Sequence, residues 1–155
     1  GIPLHAAERT MADPLVIAGG PCAQNPEPLA AFFDIFVTGD GEPSLPVICD
    51  LWLELRDQCR VHGQFAQGAA GRAQRVEALA EMARRLPFVY APRFFEAHYG
   101  DDGRLVALQP TRGDIPETIE PSVIDDWVWQ PVETRVRCLR RLADLRVSTV
   151  ARSVV

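Results

Sequence analysis

Apolar residues in the first third of the chain fall into short blocks, separated by glycine and proline. Leu15-Val16-Ile17-Ala18 is an apolar run with β-branched residues, long enough for one buried strand. Gly19-Gly20-Pro21 ends it, because a tight turn favours residues either free in φ or fixed at one φ. Asn25 is placed to cap a helix, with Pro26 at the first helical position, where its missing N–H costs nothing. Ile35-Phe36-Val37-Thr38 predicts a second strand and Gly39-Asp40-Gly41-Glu42 a second turn. Two buried strands joined by a helix form a βαβ unit. Both glycine turns then lie at the carboxyl edge of parallel strands, where open α/β sheets bind ligands.

The period lengthens after the second turn. Leu45, Ile48, Leu51, Trp52, Leu55 and Cys59 recur at three- and four-residue spacing and predict a helix over Glu42–Val61. Pro43 and Pro46 are tolerable only in its first turn, and Gly63 is a plausible stop. The Gly/Ala/Gln-rich stretch 63–72 reads as a flexible loop. Val76, Leu79, Ala83 and Leu86 predict a second amphipathic helix over Arg72–Leu86. Strand-like runs follow at Phe88-Val89-Tyr90, Phe94–Tyr99 and Leu105–Leu108, the last two joined by the hairpin signal Gly100-Asp101-Asp102-Gly103. Ile115–Val123 reads as an extended edge segment with two prolines. Residues 1–13 read as a connection in which Ile2 and Leu4 pack, and Pro131–Val155 as a basic amphipathic helix. The expected fold is α/β: a partial Rossmann-like parallel sheet with a small β-hairpin appendage.

Composition narrows the function. A chain of 155 residues, 47% hydrophobic and 24% charged, is ordinary for one soluble globular domain. No apolar run reaches the roughly 18–20 residues that span a bilayer. The start has no initiator Met and no secretory signal, and reads as the continuation of a longer chain in the cytoplasm. The net charge of −5 argues against a nucleic-acid partner. All 16 basic residues are arginine, which excludes a Walker-type phosphate loop and a lysine Schiff base. Cys22, Cys49, Cys59 and Cys138 form no Cys-x-x-Cys pair and read as reduced thiols, Cys49 and Cys59 as core residues on the first long helix. The last 25 residues carry six arginines against two acids, and so differ in kind from what precedes them.

Candidate chemistry centres on the paired turns Gly19-Gly20-Pro21 and Gly39-Asp40-Gly41-Glu42. Each alone is an ordinary way to turn a strand into a helix. One crossover apart, they suggest a shared ligand edge where the backbone approaches a bulky group closely. Neither is a Gly-x-Gly-x-x-Gly dinucleotide fingerprint. Asp40 and Glu42 suit general acid–base work or hydroxyl recognition, and equally suit capping the next helix and complementing its dipole. Cys22 could face a ligand, but no His stands near it in sequence to act as its base. His5, His62 and His98 have no metal-ligand spacing, and His98 reads as a surface residue. No catalytic residue and no metal ligand is named. Trp52, Trp127 and Trp129 read as core or interface.

The stretch AGGPCAQNPEPLAAFFDIFVTGDGE, followed by an apolar helix, resembles the cobalamin-binding segment of radical S-adenosylmethionine (SAM) proteins. Gly19, Gly20, Pro21, Asn25, Pro26, Glu27, Pro28, Gly39, Asp40, Gly41 and Glu42 match that pattern position for position. The Val-Tyr-Ala-Pro and Asp-Gly hairpin of Val89–Gly103 is similar too. The resemblance covers roughly residues 1–126. It implies a Rossmann-like domain that holds cobalamin at the carboxyl sheet edge. Gly19, Gly20, Pro21, Cys22, Asn25, Gly39, Asp40, Gly41 and Glu42 would then border the cofactor. It also implies a following radical barrel, whose three cysteines hold an iron–sulfur cluster that cleaves SAM. This chain lacks Asp-x-His-x-x-Gly and the cluster motif Cys-x-x-x-Cys-x-x-Cys. The implied division is 1–63 as the second half of the cobalamin domain, 64–126 as a connection toward the barrel, and 127–155 as an atypical basic, truncated or frame-shifted tail. Two alternatives stand beside this: a docking domain of the same family without cobalamin, and a small nucleotide- or sugar-binding α/β protein. A partial sheet leaves an unpaired strand edge, so self-association is expected.

Overall fold

The computed structural model describes residues 1–124. Two sheets and two long helices make up an α/β fold. The first sheet has the order β1-β2-β3, with β1 at Ile17–Gly19, β2 at Ile35–Val37 and β3 at Val89–Tyr90. β1 and β2 are parallel, with Ile17 opposite Ile35 and Gly19 opposite Val37. β3 runs antiparallel to β2, so the sheet is mixed rather than wholly parallel. β4 (Phe95–Tyr99) and β5 (Leu105–Pro110) form the expected hairpin as a separate two-stranded sheet.

The helix expected between β1 and β2 does not form. Two 3-10 turns, Pro21–Gln24 and Glu27–Leu29, carry the crossover instead. Asn25 closes the first turn at φ −123°, ψ 80°, and caps nothing. Three prolines within eight residues (Pro21, Pro26 and Pro28) remove amide donors. Only six residues then separate Pro28 from β2, too few for a helix that must also return to the sheet.

Helix α1 spans Gly41–Gln58 and α2 spans Gly68–Arg85. α1 follows the apolar periodicity but stops three residues early. Its chain then reverses through His62 and Gly63 at φ 51° and 80°, closed by the Val61–Gln64 bridge. α2 begins inside the stretch read as a flexible loop, so residues 68–72 are helical. Alanines there propagate the helix, and Arg75 and Leu79, fully buried one and two turns further on, anchor it. The two helices cover one face of the first sheet. Trp52, Ile48, Leu79, Met82, Ile35 and Val89 meet there with almost no exposed area. Cys49 belongs to this core and Cys59 is half-buried beside it, where burial pushes the Cys59 thiol up.

The first thirteen residues are more than a connection. Arg9 and Met11 are buried, whereas Ile2 and Leu4, expected to pack, are 43% and 67% exposed. Past the hairpin, residues 115–123 form no strand: they pair with the β2 end through the bridge Gly39 to Ser122, and pack Ile115 into the main core and Ile119 against Phe36 and Tyr90. Trp127, Trp129, Cys138 and the basic helix expected over Pro131–Val155 lie outside the described residues.

Charged side chains pin residues 112–114 to α2. Arg112 donates to Glu77 at 2.8 Å and to Asp114 at 3.0 Å, and Arg84 bridges Glu81 and Asp114. Hydrogen bonds from Arg112 hold the Glu77 and Asp114 carboxyls below their ordinary range. A depressed folded pKa adds stability above the unfolded pKa and loses it as pH falls through the folded value. Arg112→Ala should therefore lower the urea midpoint at pH 6–7. The gap from wild type should close as pH falls below about 4. A gap independent of pH would mean that Arg112 acts through packing alone.

Candidate functional site

The register of β1 and β2 brings the two glycine turns to one edge. Gly19 ends β1 opposite Val37, which ends β2, so both chains leave the sheet at the same level. Gly20 adopts φ 84°, ψ −173°, a region essentially confined to glycine. A Cβ at Gly20 would meet nothing within 4 Å, so this side of the edge is open. Pro21 and Cys22 enter the first 3-10 turn, and Asn25 is exposed at its end.

The β2 side differs. Gly39 has φ 88°, and a Cβ there would lie 2.0 Å from the carbonyl oxygen of Ser122. The chain around residue 122 is laid across this turn. The Ser122 amide donates to the Thr38 carbonyl at 2.9 Å, and the Asp40 amide donates to the Ser122 carbonyl at 2.6 Å. The Asp40 side chain accepts the Ile124 amide at 2.9 Å. Asp40 stands at the N-cap of α1 without a side-chain capping bond, and the Ser44 hydroxyl donates to its carbonyl at 2.7 Å. Glu42 is exposed in the first turn of α1, where its charge complements the helix dipole. Gly41 opens the helix with only ordinary contact to Leu45.

Gly39 is thus required by the chain's own backbone, and Gly20 by its conformation. No histidine stands at this edge: His5 stacks on Phe32, His62 lies in the reversal after α1, and His98 is exposed on β4. A corrin bound here would find an open border beside Gly20, a covered one beside Gly39, and no imidazole for its metal. Among the described residues no group of three His, Cys, Asp or Glu side chains is placed to hold a metal ion. No helix there is long and apolar enough to cross a membrane.

Two buried polar clusters of the site region are not legible as chemistry in the sequence, although Glu27 and Tyr90 stand in the motifs that carry the resemblance. Asp34, one residue before β2, is 1% exposed and faces two buried guanidiniums. Arg75 donates to its two oxygens at 3.1 and 2.8 Å, and Arg9 to one of them at 3.1 Å. The other Arg75 donors end on the carbonyls of Thr10, Asp13 and Pro14. The Val16 amide also donates to Asp34, at 2.8 Å, which ties β1 to β2 through a side chain. Tyr90 of β3 donates its hydroxyl to Glu27 of the crossover, and burial pushes the Tyr90 phenol well up from its ordinary value. The sequence did hold one signal. Arg75 lies four residues before Leu79 and seven before Met82, so a charge sits on the buried face of α2.

The geometry defines an α/β module whose parallel strands present two strand-end turns at one edge. Residues 1–92 match the family of N-terminal regions of radical SAM proteins, and the chain belongs to that family. No curated protein and no solved structure matches it. Membership implies a larger radical SAM protein, in which an iron–sulfur cluster and SAM belong to the parent.

Proposed function

We propose that this chain is a non-catalytic N-terminal docking module of its parent radical SAM protein, which positions the cluster-bearing barrel in the cytoplasm. The observation behind this reading is the segment around Ser122 laid over Gly39, in the place where a ligand of an open α/β sheet would sit. The hairpin supports it. Tyr99, Leu105 and Val106 are 62%, 51% and 71% exposed, more apolar surface than two isolated strands carry comfortably. Comparing amide exchange in the parent protein with that in this chain alone tests docking. The amides of β4 and β5, paired with each other in this chain, should exchange more slowly in the parent than in the chain alone, and equal exchange in both would overturn the reading.

Cobalamin binding is a second reading, favoured by the open turn at Gly20. In it, Gly19, Gly20, Pro21, Cys22, Asn25, Gly39, Asp40, Gly41 and Glu42 border the cofactor, and residues 120–124 must move aside. Equilibrium dialysis of the parent protein against cobalamin separates the two. Retention at micromolar concentration supports the cofactor reading, and none retained supports docking alone.

A further inference from the structure

A cavity of about 510 Å³ opens at the amino end of the first sheet, on the opposite side from the glycine turns. Its walls are mostly apolar, from Ala6, Ala30, Phe33, Leu79, Pro92 and Phe95. Its volume falls within the range of small-molecule sites. Arg93, from the 3-10 turn Pro92–Phe94, lines it, half-buried. Every other buried or half-buried charge around the cavity has a partner. Arg9 and Arg75 share Asp34, and the Tyr90 hydroxyl holds Glu27. Of the buried and half-buried charges around the cavity, the Arg93 guanidinium is the one with no hydrogen bond or ion pair among the described residues. Burial holds its pKa down, and the attraction of Asp34 is opposed by Arg75.

The charge count sharpens this. One carboxylate, Asp34, serves two guanidiniums, whose remaining donors end on uncharged carbonyls. With Glu27, whose partner Tyr90 is neutral, two carboxylates balance Arg9 and Arg75, and Arg93 is the one buried or half-buried charge left in excess. A half-enclosed, mostly apolar cavity with one unmatched guanidinium in its wall favours an anion at that guanidinium. One planar fork matches a carboxylate, whereas a phosphate dianion calls for more donors and would lie beside Glu8 and Glu27. We propose that this cavity binds a small carboxylate carried on an apolar body, with Arg93 as its anchor. The site is independent of whether the sheet edge docks a barrel or holds a cofactor.

Titrating the full chain with benzoate, and separately with its neutral isostere benzamide, by calorimetry or ligand-observed NMR tests the proposal. Benzoate should bind saturably and weaken with added salt, and benzamide should bind at least about tenfold more weakly. Arg93→Gln should lose about tenfold or more in benzoate affinity while keeping the wild-type circular dichroism. Glu8→Gln, which removes an exposed carboxylate from the cavity wall, should tighten binding. No saturable benzoate binding, equal binding of benzamide, or an Arg93→Gln variant that folds and binds as wild type would each overturn it. Should Arg93→Gln fail to fold, the contrast between benzoate and benzamide on the wild-type chain still decides.

Discussion

Asp34→Ala is expected to destabilise the chain by about 3–5 kcal/mol, a large share of the roughly 5–15 kcal/mol that holds a domain together. The substitution leaves Arg9 and Arg75 facing each other without their shared carboxylate, at 3% and 0% exposure. It also frees the buried Val16 amide at the start of β1. Urea denaturation followed by circular dichroism reads the loss, and the Trp52 ring, 5.0 Å from the Arg75 guanidinium, adds a local signal to the tryptophan fluorescence. Arg75→Met should cost less, because Arg9 and the Val16 amide still face Asp34. The double variant should then lose less than the sum of the two singles, since an unpaired buried charge is the dominant cost in each. Additive losses, or a loss under about 1 kcal/mol for Asp34→Ala, would show that the cluster is hydrated rather than buried.

Gly39→Ala has the second large effect. At Gly20 the same substitution meets only the conformational cost, about 1–3 kcal/mol, because the added methyl points into open space. At Gly39 that cost is joined by a clash that leaves no room for Ser122. The segment must lift, and with it go three hydrogen bonds of about 0.5–1.5 kcal/mol each: Ser122 to Thr38, Asp40 to Ser122 and Ile124 to Asp40. Amide exchange should show Asp40, Ser122 and Ile124 losing protection in Gly39→Ala and keeping it in Gly20→Ala. The result bears on function too. If the covered edge hides a cofactor border, Gly39→Ala should raise cobalamin retention by the parent protein. If the edge is closed by design, retention should stay at zero. Equal loss of protection in both variants would mean that the segment around Ser122 is held elsewhere.

Much of the fold could be read from residue order. The run at Leu15–Ala18, the run at Ile35–Thr38 and the Asp-Gly hairpin appear within a residue or two of where the pattern puts them, because each signal is local. The crossover between β1 and β2 departs from its local pattern. Asn25-Pro26 is a good helix start, but nothing in the dipeptide records that β2 must begin nine residues after Pro26. The Gly/Ala/Gln stretch departs the other way, from loop to helix. Weak propensity at Gly68 and Gly71 is overridden once Arg75 and Leu79 are buried.

The amino-acid order by itself determined the α/β class, the family and the meeting of two glycine turns at one sheet edge, since parallel strands with matched lengths allow no other arrangement. Only the tertiary structure decided why those glycines are needed and where the unusual charges lie. Ser122 reaches Gly39 from 83 residues away, and Arg75 reaches Asp34 from 41. Arg93 has an ordinary place in the sequence, and becomes an unpaired charge only when the 3-10 turn Pro92–Phe94, the start of β2 and α2 enclose it. Backbone clash, burial and charge excess are properties of approach between distant segments, and no local pattern encodes them.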